Sequence, residues 1–302
     1  MFTKLTDTGK ATIFTVLVLF MALGIALLFK AGVFTSEGPV IALYMCTPAL
    51  AALVMLLVIT RDGFSKEGWK GLGLHRLGLS VWWIAIGVIF LTSLVATAIV
   101  WATPLASFVV PEGGLGDPLL QFLIAVVFMT LTFSLGEELG WRGYLLPQLL
   151  SIGRTRALVL VGLIWAAWHM PLIFLTPLYH SAGNRLIVLP LFVGTIVAAS
   201  FVFGYLRILT GSVWPASLGH SVHNVAWSTL GALTATSSPV VVNEYLAGDN
   251  GILILIATAI VAVWLGRRVS RKVGSGPVKP QLEELQPVEP QPSVASDGAP
   301  AV

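Results

Sequence analysis

Residues 11–29, ATIFTVLVLFMALGIALLF, decide the class of fold. The stretch contains no charged side chain and is close to the roughly 20 residues that an α-helix needs to cross the hydrocarbon core of a bilayer. Lys4 and Lys10 precede it, as in a signal peptide. The apolar run is longer than the roughly 7–15 residues of a signal-peptide core, and no convincing cleavage site follows it. We therefore predict a retained membrane-spanning helix.

The rest of the chain has the same apolar character. Hydrophobic residues make up 56% and charged residues 10% of its 302 residues, and the mean hydropathy is +0.90. A soluble domain usually carries about 25% charged residues, so this composition favours a lipid environment. The formal net charge of +3 is small and its basic residues are dispersed, which gives no indication of nucleic-acid binding. Cys46 lies in an apolar run and is expected to be a core residue.

Eight apolar segments can be assigned, and each must be a helix in lipid because a helix satisfies its own backbone polar groups. They are residues 11–32, 39–60, 79–103, 118–136, 157–176, 186–206, 213–233 and 251–266. The sequence thus predicts an all-α, polytopic transmembrane bundle of about eight helices. We divide it into three N-terminal helices (1–117), a catalytic helical core (118–233), a last helix (234–272) and a disordered, Pro- and Glu-rich cytoplasmic tail (273–302).

The placement of lysine and arginine predicts the orientation. Of the 17 Lys and Arg residues, all but three fall in loops on one side of the predicted bundle. The exceptions are Lys30 and Arg185 on the other side and Arg142 within a helix. Because basic loops stay in the cytoplasm, we expect a multi-pass protein of the cell membrane with both termini cytoplasmic and membrane lipid as a partner.

The first polar cluster is GEELGWRGYLLP, residues 136–147. An ionisable residue inside a membrane helix is energetically expensive and usually functional. Glu138 and Arg142 are four residues apart and can pair on one helix face. Glu137 points about 100° away and lacks that partner, so it is available as a general base. By itself, the cluster could equally be a charged helix end at the membrane interface.

A second polar cluster is WAAWHMP, residues 165–171, in the middle of the fifth segment. His169 lies there, with Trp165 one turn earlier on the same face. A single histidine within a helical bundle is as often a hydrogen-bonded core residue as a functional one. This cluster therefore indicates a functional site only in combination with the other polar clusters.

The third cluster is WPASLGHSVHNVAW, residues 214–227. His220 and Asn224 are four residues apart and share a helix face, and His223 lies about 60° from His220. Such groups also serve as polar contacts between membrane helices. Together, the three clusters bring a carboxylate, two imidazoles and a carboxamide to one level of the bundle. We predict a polar, cytoplasm-facing cavity suited to hydrolysis, which needs a base for water and donors for an oxyanion.

At these positions the sequence resembles the CPBP family, which comprises CAAX prenyl proteases and bacteriocin-processing intramembrane proteases and is also called Abi or Ras-converting-enzyme-like. Three motifs occur in order: a Glu pair followed by three residues and Arg, an aromatic residue followed by three residues and His, and His followed by three residues and Asn. The matched positions are Glu137, Glu138 and Arg142, then Trp165 and His169, then His220 and Asn224. The family usually has Phe where this chain has Trp165. The resemblance covers roughly residues 118–230.

The resemblance implies an eight-helix fold around a conical cavity open to the cytoplasm, and an intramembrane endopeptidase that acts on a membrane-associated peptide or protein. By the same resemblance, Glu137 activates the attacking water with help from His169, and His220 and Asn224 stabilise the oxyanion. The charged pair of the first motif shapes and neutralises the site.

A metal is the open question of this site. Glu137, His169 and His220 could bind Zn²⁺ through one oxygen and two nitrogen atoms and leave a position for water. The sequence has no H-E-x-x-H helix, however. A metal-free mechanism explains the same residues, and Asn224 is a better hydrogen-bond donor than zinc ligand. We therefore favour a mechanism without a metal and keep Zn²⁺ as the alternative.

Two functions of other classes remain open. A proton-coupled transporter could use buried Glu and His residues as a proton relay, but transporters often show repeated, Gly- and Pro-broken helices in both halves. A non-catalytic membrane scaffold or immunity protein would keep the fold without needing Glu137. The polar residues of this chain cluster in its second half, which favours the protease.

Overall fold

The computed structural model of the chain describes residues 5–34 and 36–273, the last by its backbone alone. The tail predicted to be disordered, residues 273–302, otherwise lies outside the described residues, as does Lys4. In the described part, the protein is a bundle of long helices with a single two-residue strand pair, which confirms the all-α prediction.

The helices follow the predicted segments closely. In chain order they are α1 (Asp7–Lys30), α2 (Glu37–Val54), α3 (Lys66–Gly71), α4 (Ile89–Trp101), α5 (Gly116–Leu131), α6 (Phe133–Glu138), α7 (Leu146–Leu149), α8 (Arg154–Leu175), α9 (Arg185–Thr210), α10 (Trp214–Ala232) and α11 (Ile252–Val273). Four π-helical segments extend or join them: Met55–Ile59, Ile84–Val88, Leu139–Leu145 and Val241–Leu246. Short 3₁₀ turns are Asp62–Phe64, Leu79–Val81 and Leu150–Ile152, and β1 (Ser107–Phe108) pairs antiparallel with β2 (Thr234–Ala235).

Local sequence signals set several helix ends. Thr6 caps α1 by accepting a hydrogen bond from the Gly9 amide at 3.1 Å. Asn184 caps α9 by accepting from the Leu186 amide at 2.9 Å, as expected for residues whose short polar side chains satisfy free helix amides. Gly211 ends α9 in the left-handed conformation with φ 66°, which glycine adopts without steric cost.

Within the described residues, seven helical stretches are long and apolar enough to cross a membrane. The predicted seventh segment is missing from that set because α10 carries polar residues along its length. It nevertheless packs against α4, α5 and α9 and is buried over much of its surface. Large apolar side chains such as Phe20 and Leu119 are exposed on the outside of the bundle, as lipid contact requires.

Loop contacts show that the helices run alternately up and down. At one end, β1 pairs with β2, and the loop after α8 contacts the segment before α11. We call this the acidic end, because Glu112, Glu244 and Asp249 lie in its loops. At the opposite, basic end, Lys10 bonds Asp62 at 2.6 Å and the buried Arg207 donates to the Gly71 carbonyl at 2.7 Å.

Candidate active site

The site is built around α6, which is separated from α5 by a backbone break at Thr132 (φ −125°, ψ −94°). After Glu138 the chain winds into the π-helical segment Leu139–Leu145. This stretch lies very close to α2, since a Cβ atom on Gly140 would fall 2.4 Å from Cβ of Pro48. Glycine is therefore required there, and the close approach fixes how deeply the two glutamates enter the bundle. π-Helical turns are frequent at functional sites.

Glu137 is 2% exposed and is held by two indole groups. Its Oε2 accepts hydrogen bonds from Nε1 of Trp165 at 2.8 Å and Nε1 of Trp141 at 3.4 Å. In the described part of the chain, no Lys or Arg forms an ion pair with it, as predicted. The indole N–H of Trp165 also accounts for the departure from the family pattern, because phenylalanine could not donate this bond.

Glu138 is the ionic centre of the site. Its Oε1 accepts from Nη1 of Arg142 at 2.8 Å, and both side chains are fully buried, which confirms the predicted pair. The same oxygen lies 3.0 Å from Nδ1 of His220, a contact that helix periodicity could not reveal. The Arg142 guanidinium also lies 4.5 Å above the Trp165 ring. Glu138 thereby connects α6, the π-helical segment and α10.

His169 is oriented by its own helix. Its Nδ1 lies 2.9 Å from the Trp165 carbonyl oxygen. Because a carbonyl only accepts, Nδ1 carries the proton of this bond and Nε2 retains a lone pair in the neutral ring. The ring packs against Trp168, Phe192 and Tyr179, at centroid distances of 4.6, 5.2 and 5.7 Å. His169 is thus set up to accept a proton through Nε2.

The predicted catalytic side chains line one cavity of about 420 Å³. Glu137, His169, His220 and Asn224 all contribute to its wall, and so does His223. The helices α6, α8 and α10 therefore bring together the residues that the three sequence motifs supply. Much of the remaining wall is apolar or aromatic, as is usual for small-molecule and peptide sites.

A group of residues that sequence analysis missed lies at the acidic end of this cavity. We call it the loop cluster: Tyr179, His180, Glu244, Asp249 and Asn250. The Tyr179 hydroxyl donates to Oδ2 of Asp249 at 2.6 Å, and Nδ1 of His180 lies 2.7 Å from Oε2 of Glu244. Its members come from two segments far apart in sequence, residues 179–180 and 244–250, so their spacing gave no signal. His180 has a positive φ of 49°, a backbone conformation that is uncommon for residues other than glycine.

The electrostatics of the loop cluster are those of a buried ionic group. Burial lowers the pKa of His180, but the hydrogen bond to Glu244 and the charges of Asp249 and Glu244 outweigh it, so the pKa lies above its usual value. Burial raises the pKa of Asp249, against the opposing effects of His180 and Tyr179. The cluster joins the loop after α8 to the segment before α11, and Tyr179, Asp249 and Asn250 line this end of the cavity.

The wall of the cavity extends from Glu137 to residues of the acidic end, Tyr179, Asp249 and Asn250. The opening towards the cytoplasm stays a prediction, as does the membrane orientation that the Lys and Arg residues indicate.

The metal hypothesis gains no support from the geometry. Within residues 5–34 and 36–273, no group of three or more His, Cys, Asp and Glu side chains is placed to hold a metal ion. Glu137 instead directs Oε2 towards two N–H donors. The three candidate ligands, Glu137, His169 and His220, thus do not form a metal-binding set here, and zinc dependence stays a prediction.

The fold and the site together define a multi-pass helical membrane protein with a buried acid–imidazole cavity. Residues 118–226 match the model of the family described as type II CAAX prenyl endopeptidase Rce1-like. A stretch of 58 residues is 41% identical to CAAX prenyl protease 2 of Methanococcus maripaludis, and covers 19% of this chain and 21% of that relative. The matched residues include the motif residues of all three polar clusters, and the chain is similar to this family over that part of its length. It aligns with about a fifth of that relative's length.

Proposed function

We propose that the protein is an intramembrane endopeptidase that hydrolyses a peptide bond of a membrane-associated peptide or protein. The observation that carries the proposal is Glu137. A buried carboxylate without an ion-pair partner in the described chain is held by two N–H donors on the wall of a cavity that also contains His169. A purely structural carboxylate would instead be neutralised, as Glu138 is by Arg142.

The arrangement assigns the proton transfers. The two indole groups fix Oε2 of Glu137, so Oε1 is the oxygen that accepts a proton from water. The hydroxide adds to the carbonyl carbon of the scissile bond, and the leaving amine takes the proton back as the tetrahedral intermediate collapses. His169 assists through the lone pair on Nε2, since Nδ1 is bonded to the Trp165 carbonyl.

Stabilisation of the oxyanion is assigned to α10. Asn224 lines the cavity and offers an amide N–H, the kind of donor that stabilises a tetrahedral intermediate. His220 lies one turn earlier, and its Nδ1–H donates to Glu138. In the doubly protonated ring Nε2 also carries a proton, and it is this N–H that donates to the oxyanion. Arg142 balances the charge of Glu138 and holds the pair rigid.

The substrate class follows from the walls of the cavity. Ile41, Met45, Met129 and Phe133 line it from α2 and the α5–α6 region, and no Lys or Arg appears among its described lining residues. An apolar segment is therefore the partner that fits. The curated relative is named a CAAX prenyl protease, so a prenylated C-terminal peptide is one member of the substrate class, beside unmodified membrane peptides.

The test compares three proteins: wild type, Glu137→Gln and Glu112→Gln. Glu112 is an exposed loop carboxylate and serves as the matched control. Each is reconstituted in vesicles with quenched fluorogenic peptides, one prenylated near its C-terminus, one carrying an unmodified apolar anchor and one soluble. We expect cleavage of at least one anchored peptide by wild type and Glu112→Gln, and a loss of about 100-fold or more for Glu137→Gln, the scale of a general base.

Chelation separates the two mechanisms. We expect a zinc chelator to leave the cleavage rate unchanged, because Glu137, assisted by His169, activates water without a metal. Loss of cleavage on chelation that is restored by Zn²⁺ would instead support a metal. Full cleavage by Glu137→Gln, with an unchanged melting temperature, would refute the proposed role of Glu137.

A further inference from the structure

A second concavity lies on the outside of the bundle, along the seam between α9 and α11 and beside the start of α8. Its volume is about 760 Å³, and it shares no lining residue with the catalytic cavity. Small residues from both helices, among them Ala198, Ala259 and Gly266, line it, and Phe201 and Val263 form apolar parts of its wall. The groove therefore offers a long apolar surface to the lipid phase.

One end of this groove is strongly basic. Arg154, Arg267 and Arg271 line it together with the hydroxyl residues Thr155 and Ser270, and Nη2 of Arg154 donates to Oγ of Ser270 at 3.1 Å. No Asp or Glu occurs among the described lining residues. Arginine is the side chain best matched to phosphate, because its planar N–H groups bind phosphate oxygens in pairs.

The dimensions match a lipid that lies in one leaflet. From Leu255 to Arg267 the groove follows α11 for 12 residues, about 18 Å at 1.5 Å per residue. This is close to half of the roughly 30 Å hydrocarbon core. The arginines lie at the basic end of the bundle, where headgroups are found, and the apolar wall runs towards the bilayer centre.

We propose that this groove binds an anionic phospholipid, with the phosphate at Arg267 and Arg271 and an acyl chain along the α9–α11 seam. Basic pockets between membrane helices are known to take anionic headgroups. A general attraction of positive loops to the membrane would not distinguish one arginine from its neighbour. Arg268 provides that comparison, because it faces away and lies 5.6 Å above the Trp83 ring.

The experiment is a lipid titration of the full-length protein in detergent, followed by native mass spectrometry. The probes are dioleoyl phosphatidylglycerol and dioleoyl phosphatidylcholine. We expect wild type to bind one phosphatidylglycerol in preference. Arg267→Gln/Arg271→Gln should lose about 30-fold in that affinity, since each arginine contributes roughly fivefold at a membrane surface. Arg268→Gln should stay within about twofold of wild type.

A steric variant tests the apolar part separately. Ala259→Phe fills the groove without changing charge, so it should weaken binding of both lipids while the melting temperature in detergent stays close to that of wild type. The proposal is overturned if Arg267→Gln/Arg271→Gln binds phosphatidylglycerol as wild type does. It is equally overturned if Arg268→Gln loses as much affinity as the double variant, because the attraction would then be non-specific.

Discussion

Replacing Glu138 with glutamine should lower the stability of the protein strongly, whereas the same replacement at the adjacent Glu137 should leave it nearly unchanged. Glu138 and Arg142 are both fully buried, and Oε1 of Glu138 also bonds Nδ1 of His220. Glu138→Gln leaves the Arg142 guanidinium uncompensated in an apolar interior. Breaking a buried ion pair in this way costs about 3–5 kcal/mol. Glu137→Gln leaves no opposite charge unpaired and keeps an oxygen that accepts from Trp165.

The expected loss of stability in Glu138→Gln is large enough to measure by thermal denaturation. For a chain of this size, 1 kcal/mol shifts the melting temperature by roughly 2–4 °C. Glu138→Gln should therefore melt on the order of 10 °C below wild type in the same detergent. Glu137→Gln should melt within about 2 °C of wild type, because the isosteric change removes no ion pair. Tryptophan fluorescence or thermal aggregation of purified protein measures both.

A double variant separates charge balance from simple damage. Replacing both partners by uncharged residues removes the buried charges together, which is often neutral or stabilising. Glu138→Gln/Arg142→Met should thus regain most of the melting temperature lost in Glu138→Gln. Equal melting temperatures for the two single variants, or a double variant less stable than Glu138→Gln, would falsify the assignment of Glu138 as the neutralised partner.

Two more predictions concern the surroundings of the site. Trp165→Phe removes the 2.8 Å donor to Glu137, and losing a hydrogen bond to a charged group, about 1.5–3 kcal/mol, should lower kcat by roughly 10- to 100-fold. Trp168→Phe is the matched control, and an equal loss there would point to packing instead. His180→Gln should destabilise the protein most at low pH. Because the pKa of His180 is raised in the folded protein, its contribution to stability is complete below the usual histidine pKa of about 6.5. That contribution is lost as pH rises through the raised pKa. The melting temperatures of wild type and variant should therefore differ most near pH 5.5, and the difference should shrink as pH rises above about 6.5. A difference that grows with pH would contradict the ionic role.

The helical bundle was predictable because lipid leaves the backbone few choices. Apolar runs and alternating basic loops identified the helices to within a few residues. These helices include α10, predicted as residues 213–233 and observed as Trp214–Ala232, although its polar residues make it too polar to count among the membrane-spanning stretches. Its neighbours α4, α5 and α9 supply the burial that its own composition does not indicate.

Helix periodicity correctly predicted the pairing of Glu138 with Arg142, since both belong to one short stretch of chain. Contacts between distant segments could not be predicted in the same way. The bond from Trp165 to Glu137 depends on how α8 crosses α6. The loop cluster depends on two segments, distant in sequence, that meet at the wall of the cavity.

The pairing of Glu138 with Arg142 bears on how the protein enters the membrane. The two residues lie in adjacent turns of one segment, so each carries its counter-charge with it before α8 and α10 have been synthesised. A translocating helix is accepted or rejected largely by the free energy of its own residues. Because the two charges neutralise each other within one helix, inserting them into the membrane costs the free energy of a dipole and not that of two separate charges. The ionic centre of the site thus also helps its helix to be inserted at all.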